Sequence, residues 1–269
     1  MSSSAKEFNN PASPFANRAA GWYIVANELG FTFFMKTADF IAQIVCPKYP
    51  RPGKLSDPGS DFSPEELEAI LRKTNAELTD TDLICLFQGA LPAGDYSESI
   101  HFLPLALKRI GNEDGDGTPT LCENLLRWIS IQKDRLEADR LYDKLLTFFE
   151  ERFAELISSF RLTGDYPEHW GLAETIFESL NGSPVYHNLG DMLLKKYLDS
   201  METYEQAAWL ICFVEEHLYG ILRNSEFLRE AAADKFLLHK AYELILPRAV
   251  ADEALLHFWD NLFTRCGIE

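Results

Sequence analysis

The chain has little cysteine, and none of it is arranged for chemistry. Cys46, Cys85, Cys122, Cys212 and Cys266 are odd in number, widely scattered and never paired as C-x-x-C, which excludes a disulfide scaffold and the common zinc and redox motifs. A reducing, cytoplasmic setting is expected. Long apolar runs are also missing: the most apolar stretch, AAGWYIVANELGFTFFM, is broken by Asn27 and Glu28, short of what a membrane-spanning helix needs. The opening MSSSAKEFNNPASPFANR is polar and carries Pro11 and Pro14, so it does not read as a signal peptide.

Catalytic signatures are absent too. There is no G-x-S-x-G elbow, P-loop, G-x-G-x-x-G or H-E-x-x-H, so hydrolase, NTPase, dinucleotide and zinc-protease readings lack their usual supports. β-Branched residues do not cluster between turn signals and period-two alternation is scarce, so no sheet is expected. Basic residues are few, with 25 Lys and Arg against 42 Asp and Glu and a net charge of −17. Only residues 1–50 escape this bias, with Lys6, Arg18, Lys36 and Lys48 against Glu7, Glu28 and Asp39. Such a field repels nucleic acid and anionic membranes and draws in a basic protein.

What the sequence does hold is helix after helix. An apolar segment over 1–45 is followed by a Pro- and Gly-rich linker or ordered loop over 46–62, and then by a helical-hairpin domain over 63–269 on which residues 15–45 can dock. Ser63, Pro64 and Glu66 form a capping-box start, and Thr79 with Asp82 repeats the spacing. In RLYDKLLTFFEERFAELISSF the apolar stripe is Leu141, Leu145, Phe148, Phe149, Phe153, Leu156 and Phe160, with Lys144, Glu150, Glu151 and Arg152 expected away from it. Connections such as LPAGDY, TGDYPEHW and LNGSPVYHN are short, which favours antiparallel neighbours. The expected fold is all-α, an array of antiparallel helical hairpins. With no fixed repeat period, it is either an irregular HEAT-like α-solenoid or a single bundle.

Candidate sites are sparse. Residues 112–123, NEDGDGTPTLCE, place Asn112, Asp114, Asp116 and Glu123 at the liganding positions of a calcium loop, with Gly117 at its turn. Against calcium stand Asn where Asp is usual, Pro119 where a strand N–H is needed, and the lack of a second loop. An acidic helix connection explains the same letters. Glu98 and His101 have the spacing of a carboxylate–histidine metal motif but no second copy. The loops YPEHW and SPVYHN offer His169, Trp170, Tyr186 and His187, with His169 and His187 as weak catalytic candidates if the loops converge. Trp22, Tyr23, Phe31, Phe33, Phe34 and Phe40 concentrate aromatic surface at 22–40, a route to homo-oligomers if it is not buried.

The sequence therefore favours a non-enzymatic interaction protein with an acidic surface and a basic macromolecular partner, for example an immunity or inhibitor protein. A helical enzyme with a pocket near YPEHW and SPVYHN is the competing reading, and a calcium-responsive helical protein the third. No cofactor other than calcium is suggested.

Overall fold

In the computed structural model, residues 37–265 are described apart from 58, 60, 89–91, 113–116, 160–161, 164–165, 168–169, 220–229, 232 and 251–252. The first helix among the described residues, α1, covers 37–48 of them. It buries Ala38, Ile41 and Val45, the three- and four-residue spacing of one helical face. Ile44 packs beside them, while Lys108 reaches Asp39 at 2.6 Å and the Lys144 ammonium lies 4.6 Å from the centre of the half-exposed Phe40 ring. The remaining aromatic residues of the 22–40 stretch lie outside the described residues.

The proline-rich stretch that follows is an ordered loop held by side chains. Arg51 donates to the carbonyl of Lys73 and, at 2.7 Å, to Asn75. Leu55 is buried, and the Ser56 amide and hydroxyl donate to Glu98 at 2.8 and 2.7 Å.

Helix α2 (Pro64–Arg72) opens on the capping box of Ser63 and Glu66, and α3 (Asp80–Phe87) on that of Thr79 and Asp82. A third box was not read from the sequence: Asp95 caps α4 (Tyr96–Ser99), with Glu98 reaching back to the Asp95 amide at 2.9 Å. A 3-10 turn over Ile100–Phe102 leads into α5 (Leu103–Asn112). Then come α6 (Thr118–Ile131), α7 (Lys133–Ala138) and α8 (Tyr142–Ser158).

A two-residue antiparallel ladder, β1 (Leu162–Thr163) with β2 (Tyr166–Pro167), interrupts the helices. No strand was expected there. It is a hairpin turn too short for any periodicity to register, and the fold is otherwise all-helical. The chain continues through α9 (Trp170–Gly182), a 3-10 turn over Pro184–Tyr186, α10 (Leu189–Asp199), α11 (Tyr204–Tyr219), α12 (Lys235–Ala249) and α13 (Glu253–Arg265). No helix among the described residues is long and apolar enough to cross a membrane.

The principal packings are α6 against α3, α5 and α9; α9 against α8 and α10; and α11 against α8, α12 and α13. Helix α6 buries Leu121, Cys122, Leu125, Leu126, Trp128 and Ile129, a double-width stripe suited to an element with neighbours on two sides. Helix α11 goes further, burying every residue from Ala207 to Val214, as a helix enclosed on all sides must. Aromatic rings lock α8, α9 and α11 together: Phe153 meets Trp209 edge-on at 5.7 Å, Phe177 meets Phe213 at 5.1 Å, and Trp209 stacks on Phe213 at 4.3 Å. Each such pair adds about 1 kcal/mol beyond its buried area.

The α8 stripe buries Leu141, Leu145, Phe148, Phe149, Phe153 and Leu156; Phe160 lies outside the described residues. Arg152 is a correction. Expected on the solvent side, it is only 5% exposed and ion-pairs with Glu155 on the same helix. A guanidinium can be buried when its charge is met by a carboxylate and its stem by apolar neighbours.

Candidate functional site

Helices α6 and α9 and the 3-10 turn after α9 line a cleft of about 660 Å³. Its walls carry Glu123, Arg127 and Ile131 from α6, and Thr175 and Glu178 from α9, with Tyr186 from the turn. The floor is fixed, because Tyr186 is buried and its hydroxyl donates to the Leu126 carbonyl of α6. Burial drives the Tyr186 pKa far above its usual value, so that hydroxyl remains a donor.

The polar groups of the cleft divide into spent and unspent. Ser130 donates to the Arg127 carbonyl at 2.7 Å and Thr175 to the Gly171 carbonyl at 2.6 Å, so both hydroxyls are satisfied by their own helices. Glu123, Arg127 and Glu178 make no hydrogen bond or ion pair among the described residues. Partial desolvation first, and the nearby Glu123 charge second, raise the Glu178 pKa. Two carboxylates and one guanidinium thus line one cavity with no side-chain partner among the described residues, an excess of acceptor charge that favours a cationic or hydrogen-bond-donating ligand.

A second polar cluster gathers around Asp139, just after α7. The Asp139 side chain is 5% exposed; its Oδ2 accepts from Tyr49 at 2.7 Å and Tyr96 at 2.8 Å, while Lys48 holds Oδ1. Burial alone would raise the Asp139 pKa, but these three donors outweigh it and hold the carboxyl below its usual range. Tyr96 stacks on Trp128 at 5.7 Å with rings 5° apart. All four donor and acceptor groups are mutually satisfied, so the cluster is a clasp between α1, α4 and α7 and offers nothing to a ligand.

Of the calcium candidates, Asp114 and Asp116 lie outside the described residues. Asn112 ends α5, and Glu123 lines the α6–α9 cleft. Gly117 caps α6 with φ −87° and ψ −4°, a conformation open to any residue. What requires glycine there is Asp80, whose Cβ would stand 2.9 Å from an added methyl. The glycine is accounted for by a close approach between α3 and α6, and so carries no weight for a cation loop.

Among the enzyme candidates, His169 lies outside the described residues and Trp170 opens α9. Ser183, Pro184 and Tyr186 line the cleft, whereas His187 is exposed, left-handed at φ 50°, and not part of the lining. Glu98 and His101 are structural: Glu98 serves the third capping box and Ser56, and His101 Nδ1 lies 3.0 Å from the Tyr49 carbonyl. Among the described residues, no group of three or more His, Cys, Asp or Glu side chains is placed to hold a metal.

Of the cleft's lining, the sequence pointed to Tyr186 and the SPVYHN loop, whereas the meeting of Glu123 with Arg127 and Glu178 was missed. Glu123 and Glu178 sit on helices separated by two others, and only the tertiary packing of α6 on α9 brings them together. No family model, no curated protein and no solved structure matches the chain.

Proposed function

We propose that the protein is a non-enzymatic interaction module that receives a basic protein partner on the face formed by α6 and α9. The observation that carries this reading is the cleft, with two carboxylates that have no ion-pair partner among the described residues, in a chain of net charge −17. A field of that sign speeds the arrival of a basic surface, and a preformed concavity gives the arriving side chain somewhere to lodge. An immunity or inhibitor protein that neutralises a basic toxin is the concrete form.

An irregular HEAT-like stack fits the same role. Its support is the order of packing, in which α3 meets α6, α6 meets α9 and α8 meets α11, each layer resting on the next.

The test uses the intact chain as bait in native lysate at low and high salt, beside a Glu123→Lys/Glu178→Lys variant. The wild type retains a basic protein that high salt releases, and the charge-reversed variant does not. Retention of an acidic protein, or retention indifferent to charge reversal, overturns the reading.

One observation favours an enzyme instead. Ser183, Pro184 and Tyr186 line the cleft beside Glu178, whose carboxyl is held above its usual range by burial and then by the Glu123 charge, the direction a general acid needs. Saturable turnover of a chromogenic substrate, lost in Glu178→Gln, decides for it.

A further inference from the structure

Glu123 and Arg127 stand one turn apart on α6, in the order and spacing that favour an ion pair. They do not form one, and neither side chain has another partner among the described residues. Both line the cavity that Glu178 also lines, and among the described residues Arg127 is the only basic one in that lining. The hydroxyls of Ser130, Thr175 and Tyr186 are already spent on backbone carbonyls. Two acceptor carboxylates and one guanidinium donor therefore remain open in a single cavity of about 660 Å³.

A complementary ligand carries both signs of charge. Four residues of helix rise separate the Glu123 and Arg127 positions by about 6 Å. A lysine or arginine at the end of a chain holds its α-carboxylate and its side-chain cation at about 6–7 Å, from bond lengths of about 1.5 Å. Its methylenes suit Ile131, which lines the same cleft and is 53% exposed. A basic residue in mid-chain would meet the two glutamates but leave Arg127 without a counter-charge.

We infer that the α6–α9 cleft takes the C-terminal residue of a partner chain ending in lysine or arginine, with its α-carboxylate on Arg127 and its side-chain cation between Glu123 and Glu178. Capture of a terminal carboxylate is a recurrent mode of peptide recognition. The inference rests on the cleft being the docking site, and adds which part of the basic partner enters it.

The experiment titrates the full-length protein with N-acetylated oligoalanine ending in lysine, as the free acid and as the C-terminal amide, followed by amide chemical shifts. The free acid perturbs Arg127, Thr175 and Glu178. The amide binds about fivefold more weakly, the worth of one exposed charge pair. Arg127→Ala binds both forms alike, and Glu178→Gln weakens both; unshifted signals elsewhere confirm that the variants fold. Equal affinity of the wild type for acid and amide overturns the terminal-carboxylate assignment while leaving a basic side chain in the cleft. Absence of binding by either form overturns the cleft as the docking site as well.

Discussion

Tyr96 on α4 donates its hydroxyl to Asp139 after α7 at 2.8 Å, joining segments that no local sequence pattern connects. Tyr49 and Lys48 complete the same carboxylate's coordination. Asp139→Ala strands two tyrosine hydroxyls while leaving the exposed Lys48 ammonium to water, and is expected to cost about 2–3 kcal/mol, the range for hydrogen bonds to a buried charged group. The midpoint of urea unfolding, with the slope unchanged, measures it. A shift within error of the wild type removes the clasp from any account of stability.

The same carboxyl gives a pH dependence of defined sign. Its folded pKa is depressed, so its contribution is fully present above the unfolded value of about 3.9 and is lost as pH falls through the folded value. The stability gap between wild type and Asp139→Asn is therefore constant near neutrality and closes in acid. A gap that widens below about pH 4 contradicts the assignment.

Gly117→Ala forces a methyl against Asp80 and is expected to destabilise by about 1–2 kcal/mol through overpacking. Gly182, which ends α9 with open space around it, is the control. Its replacement by alanine is expected to gain about 0.5 kcal/mol by restricting the unfolded chain. Thermal unfolding of the two variants should move in opposite directions.

Arg152 and Glu155 form a pair with little solvent around the guanidinium. Arg152→Ala is expected to cost about 3 kcal/mol, much of it the penalty of leaving buried charge unmatched. Adding Glu155→Ala should recover part of that loss, with a coupling of about 1 kcal/mol in a double-mutant cycle. Strict additivity would show that the two side chains act independently.

Calcium titrated into the protein should give no heat above dilution, with wild type and Glu123→Gln alike. The ground is that Gly117 is explained by Asp80 and Glu123 lines the cleft. A saturable heat abolished by Glu123→Gln would restore the calcium loop.

The capping boxes at Ser63 and Thr79 and the apolar stripe of α8 were legible because each is written within one turn or one face of a helix. Arg152 was misread because a charge beside a stripe looks solvent-facing until its carboxylate and packing neighbours are known. Glu98 and His101 looked like a metal motif, since capping and metal ligation draw on the same residue types at the same spacing. The SPVYHN end of the α6–α9 cleft was marked by its loop residues, but the meeting of Glu123 and Glu178 left no local trace, because it comes only from packing between distant helices.

The enclosure of α11 has a consequence for how the chain can be divided. With Ala207 to Val214 buried against α8, α12 and α13, a fragment ending at residue 219 would lay bare an oily flank and precipitate. Supplied together, that fragment and one beginning at Asp234 should reassemble, because each is the other's missing wall.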